Sequence, residues 1–168
     1  MASCQGIDLL TILRLAPLVT STGSLWFCVD QSLFLGCLVP YHNRAEHVST
    51  IPAYWRSFFK PGLGIIFIMY GLTALAAVAN LYSSSLVFSL GVTDTTRWYK
   101  LGLAFTLAHF AFVPSVAPLI TRMIEDSTGE SWRYQVKWLK IHAIRTMLVD
   151  LPGWLCYFAA ALTSLRPA

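Results

Sequence analysis

The chain has 168 residues, of which 56% are hydrophobic and only 12% charged, with a formal net charge of +4. Soluble domains carry roughly 25% charged residues, so the composition excludes an ordinary soluble enzyme, and the length leaves no room for a separate soluble catalytic domain. The small, scattered positive charge fits an anionic membrane surface and gives no reason to expect a nucleic-acid partner.

Four apolar segments reach the roughly 20 residues that a spanning helix needs, over residues 9–39, 63–82, 101–120 and 138–165. Backbone in hydrocarbon must pair with itself, so these predict helices. With short connections the fold class is all-α membrane: a single integral membrane domain over residues 1–168, folded as an antiparallel four-transmembrane-helix bundle. The first segment is longer than it needs to be, which predicts tilt or a broken start near Pro17. It is not preceded by a basic stretch, and Arg14 interrupts it, so it reads as a retained helix and not a signal peptide. The connection over residues 40–61 ends in the aromatic-basic run YWRSFFK, which predicts an interfacial amphipathic segment between helices 1 and 2. Positive residues in short loops set orientation. Seven flank the first and third connections (Arg44, Arg56, Lys60, Arg122, Arg133, Lys137, Lys140) against four on the other side (Arg14, Arg97, Lys100, Arg166), which predicts a cytosolic first and third connection. The expected location is the endoplasmic reticulum or another internal membrane.

The fourth segment carries the strongest chemical signal. His142, Arg145 and Asp150 lie inside an apolar run, where each ionisable group costs about 2.5–3.5 kcal/mol on insertion scales. At about 100° per residue, Trp138, His142, Arg145, Val149 and Gly153 share a stripe, with Asp150 on its flank. An imidazole beside a fixed guanidinium is a base with an anion clamp, suited to removing an activated proton and holding the resulting anion. Pro152 and Gly153 loosen the helix beyond it.

The remaining candidates come from the other segments. Asp30 is the acid of the first span; it either pairs with Arg145 as a structural tie or acts as an acid that orients His142. His109 in the third span is either a second proton carrier or a neutral histidine bonded across helices, and Pro114 after it frees a backbone carbonyl. Phe27, Trp55, Trp138, His109 and Asp150 are expected to contribute to an apolar substrate cavity. His42, Glu46 and His47 cluster in the first connection, but their order is not a zincin pattern, and no metal is expected. Cys4, Cys28, Cys37 and Cys156 form no C-x-x-C pair and read as small hydrophobes. No dinucleotide or P-loop fingerprint is present, so no nucleotide cofactor is expected.

Three features together resemble a known family. These are STGSLW (Ser21–Trp26) in the first helix, YWRSFFKPG (Tyr54–Gly62) leading into the second, and the spacing Trp138, His142, Arg145 in the fourth, with FVPSVAPLI (Phe112–Ile120) ending the third. The layout is similar to the anthrone oxygenase-like family of small four-helix integral membrane proteins of fungal secondary metabolism. The resemblance implies oxidation of a lipophilic aromatic polyketide by molecular oxygen as co-substrate, without a cofactor. In it His142 is the base, Arg145 the anion clamp and Asp30 the orienting group. It implies a lipophilic small-molecule substrate and membrane lipid as partners, and is compatible with a homo-oligomer. Two other readings stay open: an acid/base cyclase or isomerase of a lipophilic terpenoid or polyketide, and a non-catalytic four-helix membrane scaffold.

Overall fold

The computed structural model describes residues 8–39, 49–86 and 93–164, with the side chains of 84–86 and 93–94 left aside. His42, Glu46 and His47, together with Cys4, lie outside the described residues. The described chain contains helix α1 (Leu9–Cys37), α2 (Thr50–Leu86), α3 (Thr93–Ala108), α4 (Val113–Glu125), α5 (Ser131–Arg145) and α6 (Leu151–Ser164). A 3₁₀ turn over His109–Phe112 joins α3 to α4, and a π-helical turn over Thr146–Asp150 joins α5 to α6. The result is four helices long and apolar enough to cross a membrane: Leu9–Cys37, Thr50–Ser83, Thr95–Glu125 and Ser131–Ser164. Each span packs on the next. The halves of the last two run antiparallel, α3 on α6 and α4 on α5, and α1 closes the ring against α5 and α6.

Pro17 does not break α1. A proline has no N–H and so leaves the carbonyl four residues earlier without its helical donor. That carbonyl belongs to Leu13, and Asn80 of α2 donates to it through Nδ2 at 2.7 Å. Asn80 is 3% exposed, so its amide is dedicated to this repair. Asn80→Leu therefore removes a buried donor and orphans a partly buried carbonyl. It is expected to cost about 1–3 kcal/mol, readable as an earlier unfolding midpoint of the detergent-solubilised chain.

The aromatic segment corrects the sequence expectation. It is not a separate interfacial piece but the first turns of α2, because its apolar positions continue the inward stripe of that helix. Ile51, Trp55, Gly62, Tyr70, Thr73, Ala77 and Asn80 are all buried, at intervals of three, four, seven and eight residues that keep to one helical face. Trp55 is 2% exposed, donates through Nε1 to Gln135 Oε1 at 2.7 Å, and stands edge-on to Trp138 at 5.2 Å. Arg56, on the outer side, donates through Nε and Nη2 to the carbonyl of Ile124 at 3.0 and 2.8 Å. It thereby satisfies an open carbonyl at the C-terminus of α4.

The other two irregularities have proline causes. Pro114 removes the i+4 donor to the Phe110 carbonyl, and the chain tightens into the 3₁₀ turn just before it, with the Val113 N–H reaching that carbonyl instead. Pro152 removes the donor to Leu148, and the chain widens instead, with the Leu151 N–H reaching Thr146. The reversal between α4 and α5 is held by Asp126, which accepts from Thr128 N, Thr128 Oγ1 and Ser131 N at 2.6–2.8 Å. Its slight burial raises the carboxyl pKa, but these hydrogen bonds outweigh that and hold it below the usual carboxylate range.

Two apolar clusters cap the interior. One joins Leu35, Ile51, Trp55, Ile120, Met123 and Trp138; the other joins Ala77, Tyr99, Tyr157 and Ala160. In the second, Gly102 allows the Tyr157 ring to lie on α3, where a Cβ would stand 2.5 Å from it. That ring is 1% exposed and its hydroxyl is paired with Thr106 Oγ1 at 2.8 Å, so it cannot retreat cheaply. Gly102→Ala is expected to destabilise the fold by about 1–3 kcal/mol through overpacking, measured by the same unfolding midpoint. Between the two clusters lies a buried polar layer, and it holds the site.

Candidate active site

The centre of the polar layer is Asp150. In an unbroken α-helix residues five apart lie about 140° from one another. The π turn closes its hydrogen bonds from i to i+5, and so folds Asp150 back over Arg145. Arg145 Nε donates to Asp150 Oδ2 at 3.3 Å, and the two side chains are 6% and 3% exposed. Oδ1 accepts from Tyr70 Oη at 2.9 Å and stands 2.8 Å from His109 Nδ1. Cys28 Sγ lies 3.6 Å from Oδ2. One carboxylate thus gathers a donor from every span: Cys28, Tyr70, His109 and Arg145.

Partner chemistry fixes the histidine tautomers. An ionised carboxylate only accepts, so His109 carries its proton on Nδ1 and keeps a lone pair on Nε2. A guanidinium only donates. Arg145 Nη2 reaches His142 Nδ1 at 2.8 Å, so Nδ1 accepts and Nε2–H donates to the carbonyl of Cys28 at 2.9 Å. His142 is 0% exposed and lies beneath Trp138, ring on ring at 4.7 Å. Both of its nitrogens are occupied, whereas Nε2 of His109 has no hydrogen-bond partner among the described residues.

A cavity of about 280 Å³ runs between α2 and α4 toward this centre. Phe58, Phe59, Phe67, Phe110 and Trp55 give it aromatic walls, and Trp138, His109, Arg145 and Gln31 form its inner end. Arg145 makes no hydrogen bond to described protein groups through Nη1 and is not among the buried unpaired atoms, so those two N–H groups are available to a ligand. Behind Asp150 a water-sized chamber of about 20 Å³ is lined by Ser21, Ser24, Thr73, Thr106, Tyr157 and Tyr70.

The structure brings together most of the predicted residues, with different partners. Trp138, Trp55, His109 and Arg145 line the cavity, and His142 backs it from behind Arg145. Asp150, placed on the flank by the 100° rule, is the hub. Asp30 does not meet Arg145, and that expected ion pair is corrected. Asp30 lies two residues from Cys28, about 200° round α1, and is half-exposed on the outer side. Phe27 packs on Phe58 at 6.4 Å and is not part of the cavity lining. Tyr70, Phe67 and Phe110 are not singled out by the sequence, and Cys28 reads there only as a small hydrophobe. Among the described residues, no group of three His, Cys, Asp or Glu side chains is placed to hold a metal ion.

Comparison with known proteins gives the chain a family. It is 32% identical over 158 residues to the probable epoxidase scpX of Mollisia scopiformis, covering 94% of this chain and 98% of that one. It is 31% identical over 157 residues to the epoxidase gkaX of Penicillium citrinum, covering 93% and 96%. It is 32% identical over 158 residues to the epoxidase pydX of an Acremonium species, again covering 93% and 96%. No family profile matches the chain, and no solved structure matches it. The relatives bear out the expectation of fungal secondary metabolism, under the name epoxidase and not anthrone oxygenase. The chain belongs to this family of fungal secondary-metabolite epoxidases.

Proposed function

We propose that the chain spans an internal membrane four times and epoxidises a lipophilic, enolisable molecule with molecular oxygen, without a bound cofactor. The observation that carries the reading is the Asp150–His109 pair, set beside Arg145 at the buried end of an aromatic cavity. His109 Nε2 takes a proton from an enol or phenol hydroxyl of the substrate. Asp150 and Tyr70 hold the imidazole in the required tautomer and balance its charge. The Nη1 donors of Arg145 hold the oxyanion. The electron-rich anion reduces oxygen as a carbon–oxygen bond forms, giving a peroxide on the ring carbon. The adjacent electron-rich carbon then attacks the carbon-bound peroxide oxygen, which closes the epoxide and breaks the O–O bond. The departing oxygen leaves as water, with the proton from His109 and one from the substrate. All four electrons that take oxygen to water and an epoxide oxygen come from the substrate, two with the hydrogens it loses and two in the new carbon–oxygen bonds, so substrate plus oxygen gives water and an epoxide two hydrogens poorer. Oxidation of an anthrone-type polyketide, the reaction implied by the sequence resemblance, shares the proton abstraction and the attack on oxygen.

The test is expression of the chain beside a fungal polyketide pathway under ¹⁸O-labelled oxygen gas, with product profiling. One labelled oxygen per product molecule is expected. A chain-dependent product isomeric with its precursor, or one with no label, overturns the oxygenase reading and moves the same acid/base groups to a cyclisation.

A further inference from the structure

The cavity is open on its outer side. Leu63 and Phe67 of α2 face Val113 and Ala117 of α4 across it, each pair four residues apart and so stacked along its helix. All four belong to the lining and all four are exposed, Phe67 by 57% and Val113 by 47%. The polar lining lies at the opposite end, where His109 and Arg145 are 4% and 5% exposed. Phe67 stacks on Phe110 at 5.8 Å and 16°, forming one side of the opening. The slot therefore runs from an apolar mouth to a charged, hydrogen-bonding floor.

Its depth follows from helix geometry. Leu63 is three residues beyond Lys60, about 4.5 Å along the axis, and Phe67 about 10 Å. On the facing helix Ala117 precedes Arg122 by about 7.5 Å. In a bilayer Arg56, Lys60 and Arg122 sit at headgroup level, so the mouth opens sideways into the hydrocarbon just beneath it.

We propose that this slot is a lateral entrance, through which a bilayer-dissolved amphiphile with a small acidic or enolisable head and an apolar tail enters head first. The inference rests on the cavity being the substrate site. The head pairs with Arg145 and His109, and the tail stays in the bilayer between α2 and α4. At about 280 Å³ the cavity is at the low end of the roughly 300–1,000 Å³ of pockets that bury a drug-sized ligand, and through its open mouth a longer tail extends outside. A membrane phospholipid does not fit the same way. Its head is held at the surface, so it can only insert an acyl chain, and that leaves the donors of Arg145 unmatched in a buried site.

Photolabelling tests this without requiring turnover. The full chain is placed in phosphatidylcholine vesicles with a long-chain alkylphenol carrying a diazirine on its ring, and in parallel with a phosphatidylcholine carrying the diazirine on an acyl chain. The phenol probe is expected to label residues 58–67 and 110–117 about tenfold more than the lipid-facing surface around Leu75 and Leu162. Ala117→Trp and Val113→Trp, both on the exposed rim, should each cut that labelling about tenfold, and Leu75→Trp should not. Even labelling over the whole outer surface, equal enrichment by the phosphatidylcholine probe, or full labelling in both folded rim variants overturns the proposal. If the labelling is as expected and no oxygen from the gas enters any product, the entrance stands and the epoxidation reading falls.

Discussion

Asp150→Asn is expected to lower kcat/KM by about 10²–10⁴ and the stability of the chain by about 3–5 kcal/mol. The carboxylate balances Arg145 and accepts from Tyr70 and His109 at once. An asparagine of the same shape offers one acceptor oxygen and an NH₂ that points a donor at other donors. Arg145 keeps its charge, since a guanidinium does not deprotonate, and is left buried without a counter-ion. His109 loses the group that fixes its tautomer, so its Nε2 no longer presents a lone pair to the cavity in every molecule. The two losses separate experimentally. The unfolding midpoint of the detergent-solubilised chain reads the first, and turnover per folded molecule reads the second. A variant that unfolds earlier yet turns over normally when folded leaves Asp150 as a structural tie alone.

The site was legible in the sequence wherever its residues are costly to bury. Arg145, His109 and His142 stand out because a charge or imidazole in an apolar run demands an explanation. Trp55 and Trp138 stand out through aromatic density. Tyr70 and Cys28 do not, because a phenol or thiol in such a run is cheap and common, although both contact Asp150. The misplaced partner has a specific cause. Assigning Asp150 to the flank assumed a regular helix, and the π turn, which Pro152 alone hints at, changes the angle of every residue after Arg145. Once Asp150 is placed off the stripe, Asp30 becomes the natural acid for Arg145, and the error carries to the first helix. The fold was easier to read, because four long apolar runs admit few arrangements. The helical start at Thr50 was hidden because the basic residues of the aromatic segment sit on the outer face of a helix whose inner face is already core.

A pair of glutamine substitutions decides which histidine is the base. Glutamine has one acceptor and one donor end, so it can copy both hydrogen bonds of a neutral histidine without taking up a proton at neutral pH. His142→Gln keeps an oxygen for Arg145 Nη2 and an amide for the carbonyl of Cys28, and it loses only the stack beneath Trp138. Its kcat/KM is expected to stay within about tenfold of the parent, with a stability loss of about 1–2 kcal/mol from the missing ring contact. His109→Gln keeps a donor to Asp150 and therefore the fold, but it leaves the cavity without a base. Its kcat/KM is expected to fall by about 10²–10⁴, with a stability loss of about 1–2 kcal/mol from the missing ring contacts to Tyr70 and Phe110. The opposite result, an inactive folded His142→Gln beside an active His109→Gln, returns the proton to the Trp138–His142–Arg145 stripe and reduces His109 to a strut beneath Asp150. The geometry favours the first outcome on chemical grounds. A proton arriving on His142 Nδ1 must displace the hydrogen bond from Arg145 and place a second positive charge beside a guanidinium, while a proton arriving on His109 Nε2 completes an imidazolium against a carboxylate.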